Sequence, residues 1–256
     1  MNEDALDELA GVLVSATRVA VLTGAGISAE SGIPTFRGAQ GLWKRFRAEE
    51  LATPEAFDRD PRLVWEWYDW RRRLIAEAVP NEGHKTLAVW QKAFPSFSLI
   101  TQNIDGLHGL AGSADPIELH GNIWKTRCPF EGTVRENREV PLSELPPRCP
   151  DCGRLLRPHV VWFGESLDSR ILDEAFRRCS SCQVLFVVGT SAVVHPAAAL
   201  PQAAAEAGAV IVEVNPEPTP LSRTADFCFR EPSGRMLSRL DRRLEARRRS
   251  SARRTR

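Results

Sequence analysis

The sequence predicts an α/β protein with a doubly wound, mostly parallel sheet and a small inserted module. Three observations lead there. Short apolar runs at Val19–Leu22, Val184–Gly189 and Ala209–Val214 have the length of strands buried on both faces. Helical stretches alternate with them, as β-α-β units require. Between Trp124 and Arg157 the hydrophobic pattern lapses, and cysteine, proline and charge take its place. The expected organisation is a sheet domain of residues 1–123 and 158–240, a cysteine-containing module at 124–157, and a basic tail at 241–256.

The elements follow in chain order. Leu6, Leu9, Val12 and Leu13 give one apolar face to a first helix over Asp4–Ala16. Val19–Leu22 is the first strand, and the small residues Ile27-Ser28-Ala29 start a helix whose free N–H groups would face an anion. Residues 41–54 are too irregular for one long element. A second helix begins near Pro61, a good first-turn residue, and runs over Arg62–Ala78. After Pro80-Asn81-Glu82-Gly83 the helical pattern resumes over His84–Phe94. Strands are expected at Phe97–Thr101 and Ile117–Leu119, then at the runs named above. Helices are expected around Asp168–Arg178 and Pro196–Ala207. Ligands of such sheets bind at the carboxyl ends of the strands, where Gly24, Gln102, Gly189 and Asn215 fall.

Composition narrows the class. The chain has 256 residues, 43% hydrophobic and 26% charged, which suits a soluble globular protein. No apolar run approaches the about 18 residues needed to cross a bilayer. The acidic start MNEDALDELAG lacks the basic region of a signal peptide, so a cytoplasmic protein is expected. Six cysteines there serve metal or packing rather than disulfides. The net charge of +1 hides an asymmetry: Arg242–Arg256 holds eight Arg and one Glu, +7, leaving −6 elsewhere. That tail reads as a solvated, disordered terminus, with a contact for acidic partners or nucleic acid as the alternative. A monomer with no specific nucleic-acid binding is expected.

The richest stretch is Arg18–Gly38, RVAVLTGAGISAESGIPTFRG. Gly24-x-Gly26-x-x-Ala29 after a strand is a weak dinucleotide signal of Rossmann-like type, its glycines leaving room for phosphates to approach. The continuation Glu30-Ser31-Gly32-Ile33-Pro34-Thr35-Phe36-Arg37-Gly38 is not an ordinary Rossmann helix but a Gly, Pro and Ser segment with an aromatic-cation pair. From Gly24 to Gly38 the sequence resembles the cofactor-binding loop of the sirtuins, NAD-dependent protein-lysine deacylases. The resemblance extends from Arg18 to about Leu237. It implies NAD contacts from Gly24, Ala25, Gly26, Ile27, Ser28, Pro34, Phe36 and Arg37. Gln102-Asn103-Ile104-Asp105 reads alone as an Asx-type turn, but it matches the family's Q-N-I-D. That match implies a nicotinamide and ribose site, with Asp105 near the carboxamide. Gly189-Thr190-Ser191 and Asn215-Pro216-Glu217 read alone as strand-to-helix turns, and match positions that contact the adenosine half.

His120, in Glu118-Leu119-His120-Gly121, has a side chain whose pKa suits a general base. The matching H-G motif implies that it takes a proton from a ribose hydroxyl. His84, His108 and His159 read as packing or loop, and His195 as a helix start. Val161, Phe163, Gly164 and Glu165 lie in a segment resembling the family's H-V-V-W-F-G-E, which implies a groove where a substrate peptide adds as a strand. Acylated-lysine proteins or peptides are therefore the expected partners. Rival readings are an ADP-ribosyltransferase or NAD glycohydrolase, and a non-catalytic NAD or ADP-ribose sensor.

Two features concern metal and specificity. A structural zinc site uses C-x-x-C twice. Cys149-Pro150-Asp151-Cys152 supplies one pair, but the other position reads Cys128-Pro129-Phe130-Glu131. Zn2+ on Cys128, Cys149 and Cys152 with Glu131 as fourth ligand is one reading, and a module held by packing is the other. Cys179 and Cys182 read as core residues. On the second expected helix, Tyr68 and Arg71 are three apart and face one way, a phenol beside a guanidinium suited to a carboxylate. The alternative is aromatic packing with a solvated Arg. This Y-x-x-R resembles class III sirtuins, whose pocket takes negatively charged acyl groups. Ala52 matches a position that class keeps small. Succinyl- and malonyl-lysine are thus favoured over acetyl-lysine.

Overall fold

The computed structural model describes residues 3–34 and 48–254. Helix α1 (Glu3–Ser15) leads into β1 (Arg18–Thr23) and a 3-10 turn, Ala25–Ser31. Helices α2 (Ala48–Leu51), α3 (Pro54–Arg59), α4 (Pro61–Ala76) and α5 (Glu82–Ala93) follow. Their starts are written in the sequence. Thr53 caps α3 by accepting from the Ala56 N–H, Asp60 caps α4 from Leu63, and Asn81 caps α5 from Gly83. Pro54 and Pro61 fill the first turns, where no N–H is needed. Then come β2 (Ser96–Thr101), α6 (Leu107–Leu110), β3 (Ile117–Glu118), β4 (Gly121–Arg127), β5 (Val134–Glu136) and β6 (Arg157–Val160). The chain continues through α7 (Ser169–Ser181), β7 (Val184–Val188), α8 (Leu200–Glu206), β8 (Val210–Val214), β9 (Phe227–Phe229) and α9 (Ser233–Arg254). Among the described residues no helix is long and apolar enough to cross a membrane.

Among the described residues, six strands pair in the order β3-β2-β1-β7-β8-β9, every pair parallel. Alternation explains the unbroken apolar runs. Val19 and Val21 of β1 join one cluster with α1, α5 and α9, while Ala20 and Leu22 join another with α7 and α8. β7 divides in the same way, Val184, Phe186 and Val188 against Leu185 and Val187. β1 and β7 are thus buried on both faces, as parallel sheets with crossover helices demand.

A second sheet, β5-β4-β6, is antiparallel and belongs to the cysteine region. Its apolar support comes from α4: Trp65, Trp67 and Tyr68 pack in one cluster with Ile123, Trp124, Cys128, Cys149 and Leu156. Trp65 Nε1–H donates to the Leu156 carbonyl at 2.8 Å, and the Leu142 N–H donates to Asp69 at 2.8 Å.

The expected disordered tail is corrected by α9. This helix begins at Ser233 and continues to Arg254, and its Met236, Leu237, Leu240 and Leu244 are buried against α1 and α5. Each such side chain contributes about 1.5–3 kcal/mol when fully buried. Arg243 pairs with Glu3 and Asp7 of α1, so part of the terminal positive charge is neutralised by the acidic N-terminus. The expected helix over Pro196–Ala207 is also divided, into a 3-10 turn at Ala197–Ala199 and α8. Pro201, which has no N–H to donate, fits only in the first turn of α8.

Candidate active site

Because all six strands are parallel, their carboxyl ends meet at one edge, and the site is built there. β1 and β7 are neighbours, and the loops that leave them interlock. The Gly24 N–H donates to the Val188 carbonyl at 3.0 Å, and the Gly26 N–H to the Gly189 carbonyl at 2.8 Å. A methyl group on Gly24 would lie 2.7 Å from Thr190 Cβ, and one on Gly26 would lie 2.6 Å from Gly189 Cα. The facing loop therefore already leaves no room for a side chain at either glycine. Of the expected free N–H groups, that of Ile27 is spent on the Gly24 carbonyl at 3.1 Å. The residues after Gly24 form a short 3-10 turn in place of the expected helix. Ala25 is half-buried and Ile27 points into the core.

The root of this loop is fastened twice. Asn81 Nδ2 donates to the Ile27 carbonyl at 2.7 Å and to Ser31 Oγ at 2.9 Å. Glu30 accepts from the Gly234 N–H at 2.7 Å, placing a carboxylate at the positive N-terminus of α9. Pro34 is exposed at the limit of the description, and Phe36 and Arg37 lie outside the described residues.

Below the loop is a buried polar cluster. Ser28 Oγ donates to Asp105 Oδ2 at 2.7 Å, and the Leu107 N–H donates to Asp105 Oδ1 at 2.9 Å. Asn103 Nδ2 donates to the Gly24 carbonyl at 3.1 Å, tying the β2 loop to the β1 loop. Ile104 packs against the cluster shared with α4, while its carbonyl accepts from Ile123 at 2.9 Å. Burial pushes the Asp105 carboxyl above the ordinary range, opposed by these hydrogen bonds and by Arg71. Trp124 Nε1–H donates to the Asp105 carbonyl at 2.7 Å.

His84 and His108, which read as packing or loop, belong to this cluster. His84 Nε2 lies 3.4 Å from Ser28 Oγ, His108 Nε2 lies 2.9 Å from Thr23 Oγ1, and the two rings are 4.9 Å apart. No sequence signal pairs them; only the fold brings residues 84 and 108 together. Burial lowers His84 to about 4 and His108 to about 3. Both rings are neutral in the fold at pH 7, and the unfolded chain takes up the protons first as pH falls below about 6.5. Stability is therefore expected to decline from pH 6.5 toward 4, by about 1.4 kcal/mol per pH unit for each histidine. Urea denaturation at pH 7, 6 and 5 measures it, and a flat stability over that range contradicts neutral burial.

His120 follows β3. Its Nδ1 lies 2.9 Å from the Gln102 carbonyl. A carbonyl only accepts, so Nδ1 carries the proton and Nε2 is left as the acceptor. Burial lowers the ring's pKa, with the bond to Gln102 opposing it. The neutral ring is a base at pH 7. Gln102 Nε2 donates to Thr190 Oγ1 at 3.0 Å, and Asn215 Nδ2 donates to the Thr190 carbonyl at 2.8 Å. The ends of β2, β7 and β8 are thereby joined around Thr190. Ser191 and Asn215 are half-buried beside it, and Pro216 and Glu217 are exposed at the rim.

The opposite wall comes from α4 and the segment after β6. Tyr68 is fully buried, and its hydroxyl oxygen accepts from Trp162 Nε1–H at 3.0 Å. Burial raises the phenol to about 12, so it stays a donor at working pH. Arg71 Cζ lies 4.9 Å from the Trp67 ring and 6.0 Å from the Tyr68 ring. Burial lowers the Arg71 pKa, with Tyr68 and then Asp105 opposing the change. The side chain is half-buried, its guanidinium against the Trp67 ring. The Phe163 N–H donates to the Ala52 carbonyl at 2.9 Å, and Phe163 is exposed at 47%. Val161 N–H donates to the His120 carbonyl at 3.0 Å, which couples this segment to the base. Gly164 turns the chain at φ 86°, and Glu165 is clamped by Arg157 at 2.6 and 2.8 Å. Its carboxylate orders the turn. Trp162, stacked under Arg157 at 3.5 Å and bonded to Tyr68, is a site residue that the sequence motif contained without singling out.

In the module, the thiols of Cys128, Cys149 and Cys152 lie within 4.8 Å of one another. The Glu131 carboxylate is not in that group. Cys179 and Cys182 are buried in the α7 cluster, their thiols pushed up to about 12 and about 11 by burial, which suits inert core residues.

Comparison with known proteins adds five findings. The model of the Sir2 family matches residues 24–196. A protein of Aquifex aeolicus named NAD-dependent protein deacylase is 59% identical over 222 residues, 87% of this chain and 93% of that protein. One of Aeropyrum pernix with the same name is 51% identical over 239 residues, 93% and 97% of the two chains. Among solved structures, a Sir2 homologue–NAD complex superposes with a TM-score of 0.89 at 44% identity, covering 94% of each chain. A Sir2–p53 peptide–NAD+ complex superposes at 0.80 with 33% identity, covering 91% of this chain and 95% of the other.

Proposed function

The chain belongs to the Sir2 family, and from that premise we propose that it is an NAD-dependent protein-lysine deacylase preferring succinyl- and malonyl-lysine to acetyl-lysine. The observation that carries the activity is the His120 ring, with its proton held on Nδ1 by the Gln102 carbonyl and Nε2 left basic at the mouth of a polar pocket. The residues fit NAD by their donor set. Each Asp105 oxygen accepts one protein hydrogen bond and retains a second lone pair for a carboxamide N–H. Gln102, Asn103 and Ile104 line the same turn, and Thr190, Ser191, Asn215, Pro216 and Glu217 border the adenosine side. When bound, NAD would supply a ribose carbon that nicotinamide leaves and the acyl oxygen takes; with one water consumed after nicotinamide has left, the products would be nicotinamide, free lysine and O-acyl-ADP-ribose. His120 Nε2 takes the proton of a ribose hydroxyl. Gly24 to Ser28 and Pro34 form the cover that keeps water out.

The acyl preference rests on Tyr68 and Arg71. Tyr68 is a buried neutral donor, Arg71 is a half-buried cation, and the small Ala52 belongs to the same apolar cluster as Tyr68. A dicarboxylic acyl chain would place its free carboxylate against the Arg71 fork and the Tyr68 hydroxyl. Peptides with the acylated lysine would lie along Val161–Gly164, held by main-chain bonds. Cys128, Cys149 and Cys152 would hold a structural zinc. The six free cysteines suit a reducing compartment, the cytoplasm.

One assay tests the proposal: nicotinamide release from NAD with succinyl-lysine peptide, acetyl-lysine peptide or no peptide. Release is expected to be fastest with the succinyl peptide and negligible without peptide. Release without peptide favours a glycohydrolase, and NAD binding without release favours a sensor. Equal use of acetyl-lysine overturns the assignment of Tyr68 and Arg71.

A further inference from the structure

The segment after β6 turns back on itself, and the turn aims one side chain. In Trp162-Phe163-Gly164-Glu165 the Glu165 N–H donates to the Trp162 carbonyl at 3.0 Å, and the Trp162 N–H donates to Glu165 Oε2 at 2.8 Å. Arg157 grips the same carboxylate, Nη1 to Oε1 at 2.6 Å and Nη2 to Oε2 at 2.8 Å. Its guanidinium lies over the Trp162 ring at 3.5 Å, and Phe57 packs against that ring with centroids 5.3 Å apart. Main chain and ring are each fixed by their own contacts, so the buried indole keeps one orientation.

That orientation puts Trp162 Nε1 3.0 Å from the Tyr68 hydroxyl oxygen. An indole N–H only donates, so the phenol oxygen must accept, and its own proton cannot point back at Trp162. Tyr68 is 1% exposed, and among the described residues no group accepts that proton. Burial keeps the phenol protonated, so the donor persists at working pH. A buried donor without a partner is costly until something arrives to accept from it. The cation over the indole adds to the effect, drawing electron density from the ring and strengthening its N–H as a donor.

We propose that Trp162 is a positioning residue for acyl selection: by donating to the Tyr68 oxygen it turns the phenol proton toward the substrate, where the distal carboxylate of an acyl chain accepts it. The inference rests on the assignment of Tyr68 and Arg71 made above. The indole acts through Tyr68 rather than on the acyl group. With an apolar ring at position 162 the hydroxyl would be free to rotate, and its lone pairs would face the incoming carboxylate for part of the time. A hydroxyl that already accepts one hydrogen bond is also a stronger donor, because bonds in a chain polarise one another. The chain runs from Trp162 to Tyr68 to the carboxylate, each group donating in the same direction.

The test uses the full chain with saturating NAD and one peptide carrying either succinyl- or acetyl-lysine. Trp162→Phe keeps an aromatic ring and removes the N–H. Any change in groove packing falls on both peptides alike, so the ratio of their KM values isolates the hydroxyl. Trp162→Phe is expected to shift that ratio against succinyl-lysine by about tenfold, the worth of a hydrogen bond to a charged group. In Tyr68→Phe there is no hydroxyl to turn, and adding Trp162→Phe is expected to leave the ratio where Tyr68→Phe put it. A second measurement needs no change at Trp162. Of the seven tryptophan indole N–H resonances in nitrogen-15-labelled protein, the one displaced most in Tyr68→Phe belongs to the bonded indole. Succinyl peptide is expected to move that resonance downfield in the wild-type chain, and acetyl peptide to move it less. A wild-type succinyl preference that survives Trp162→Phe overturns the inference and leaves the acyl assignment standing. So does an equal shift of the ratio with and without the Tyr68 hydroxyl, or an indole resonance that succinyl peptide leaves in place. Equal KM values for the two peptides in the wild-type chain overturn the acyl assignment, and this inference with it.

Discussion

His120→Ala is expected to lower the rate of lysine product formation by about 10²- to 10⁴-fold, the usual worth of a positioned general base. NAD affinity, read by calorimetry, should change little, because the ring's Nδ1 is committed to the Gln102 carbonyl and Nε2 is assigned to a proton rather than to binding. The pH profile gives an independent check. The base must be neutral, so activity falls as pH drops through its pKa. Burial holds that pKa below the ordinary 6.5, so the acid limb of kcat/KM should lie below pH 6.5, with a plateau at neutrality. A variant with full activity, or a limb above pH 7, would remove His120 from the mechanism.

The second large effect is expected at Arg71. Arg71→Met keeps the length and apolar stem of the side chain but removes the charge. Truncating one partner of a buried charged contact costs about 2–5 kcal/mol, so kcat/KM for succinyl-lysine should fall roughly 30-fold or more. Acetyl-lysine has no second carboxylate, so its use should hold steady or rise. The ratio of the two is the decisive quantity. Arg71→Lys should recover only part of the loss, since an ammonium cannot grip a carboxylate with a planar fork. Because the charges of Arg71 and Asp105 act on each other, the KM for NAD must be followed in the same series. Equal losses on both peptides would assign Arg71 to cofactor binding alone.

The strands of the large sheet were readable because parallel pairing buries both faces, so β1 and β7 read as apolar runs and β8 is broken only by Glu213. Helix α9 was not. Its buried Met236, Leu237, Leu240 and Leu244 stand among arginines, and a stretch such as RRLEARRRSS reads as charge before it reads as period. Acidic residues of α1 that pair with Arg243 lie more than 230 positions away, beyond any local pattern. The glycine pattern was readable as a loop, but its cause was not, since the atoms that forbid a side chain at Gly26 belong to Gly189. In the pocket, Asp105, Gln102 and His120 were legible as motifs. His84 and His108 were not, because a lone histidine carries no sign of the hydroxyl it will meet.

The α9 contacts also bear on how the protein is made. A ribosome that has delivered residues 1–232 has synthesised every strand and every residue assigned to the pocket. At that moment α1 still lacks Met236, Leu237, Leu240 and Leu244, and the root of the 25–31 turn lacks the Gly234 N–H that Glu30 grips. The apolar residues of α1 and α5 that pack against α9 remain incompletely covered until Leu244 has been added. Until then the chain carries an apolar surface of the kind that makes incomplete chains prone to aggregate. A chain cut before Ser233 is expected to lose stability and one of the two fastenings of the 25–31 turn, the one through Glu30.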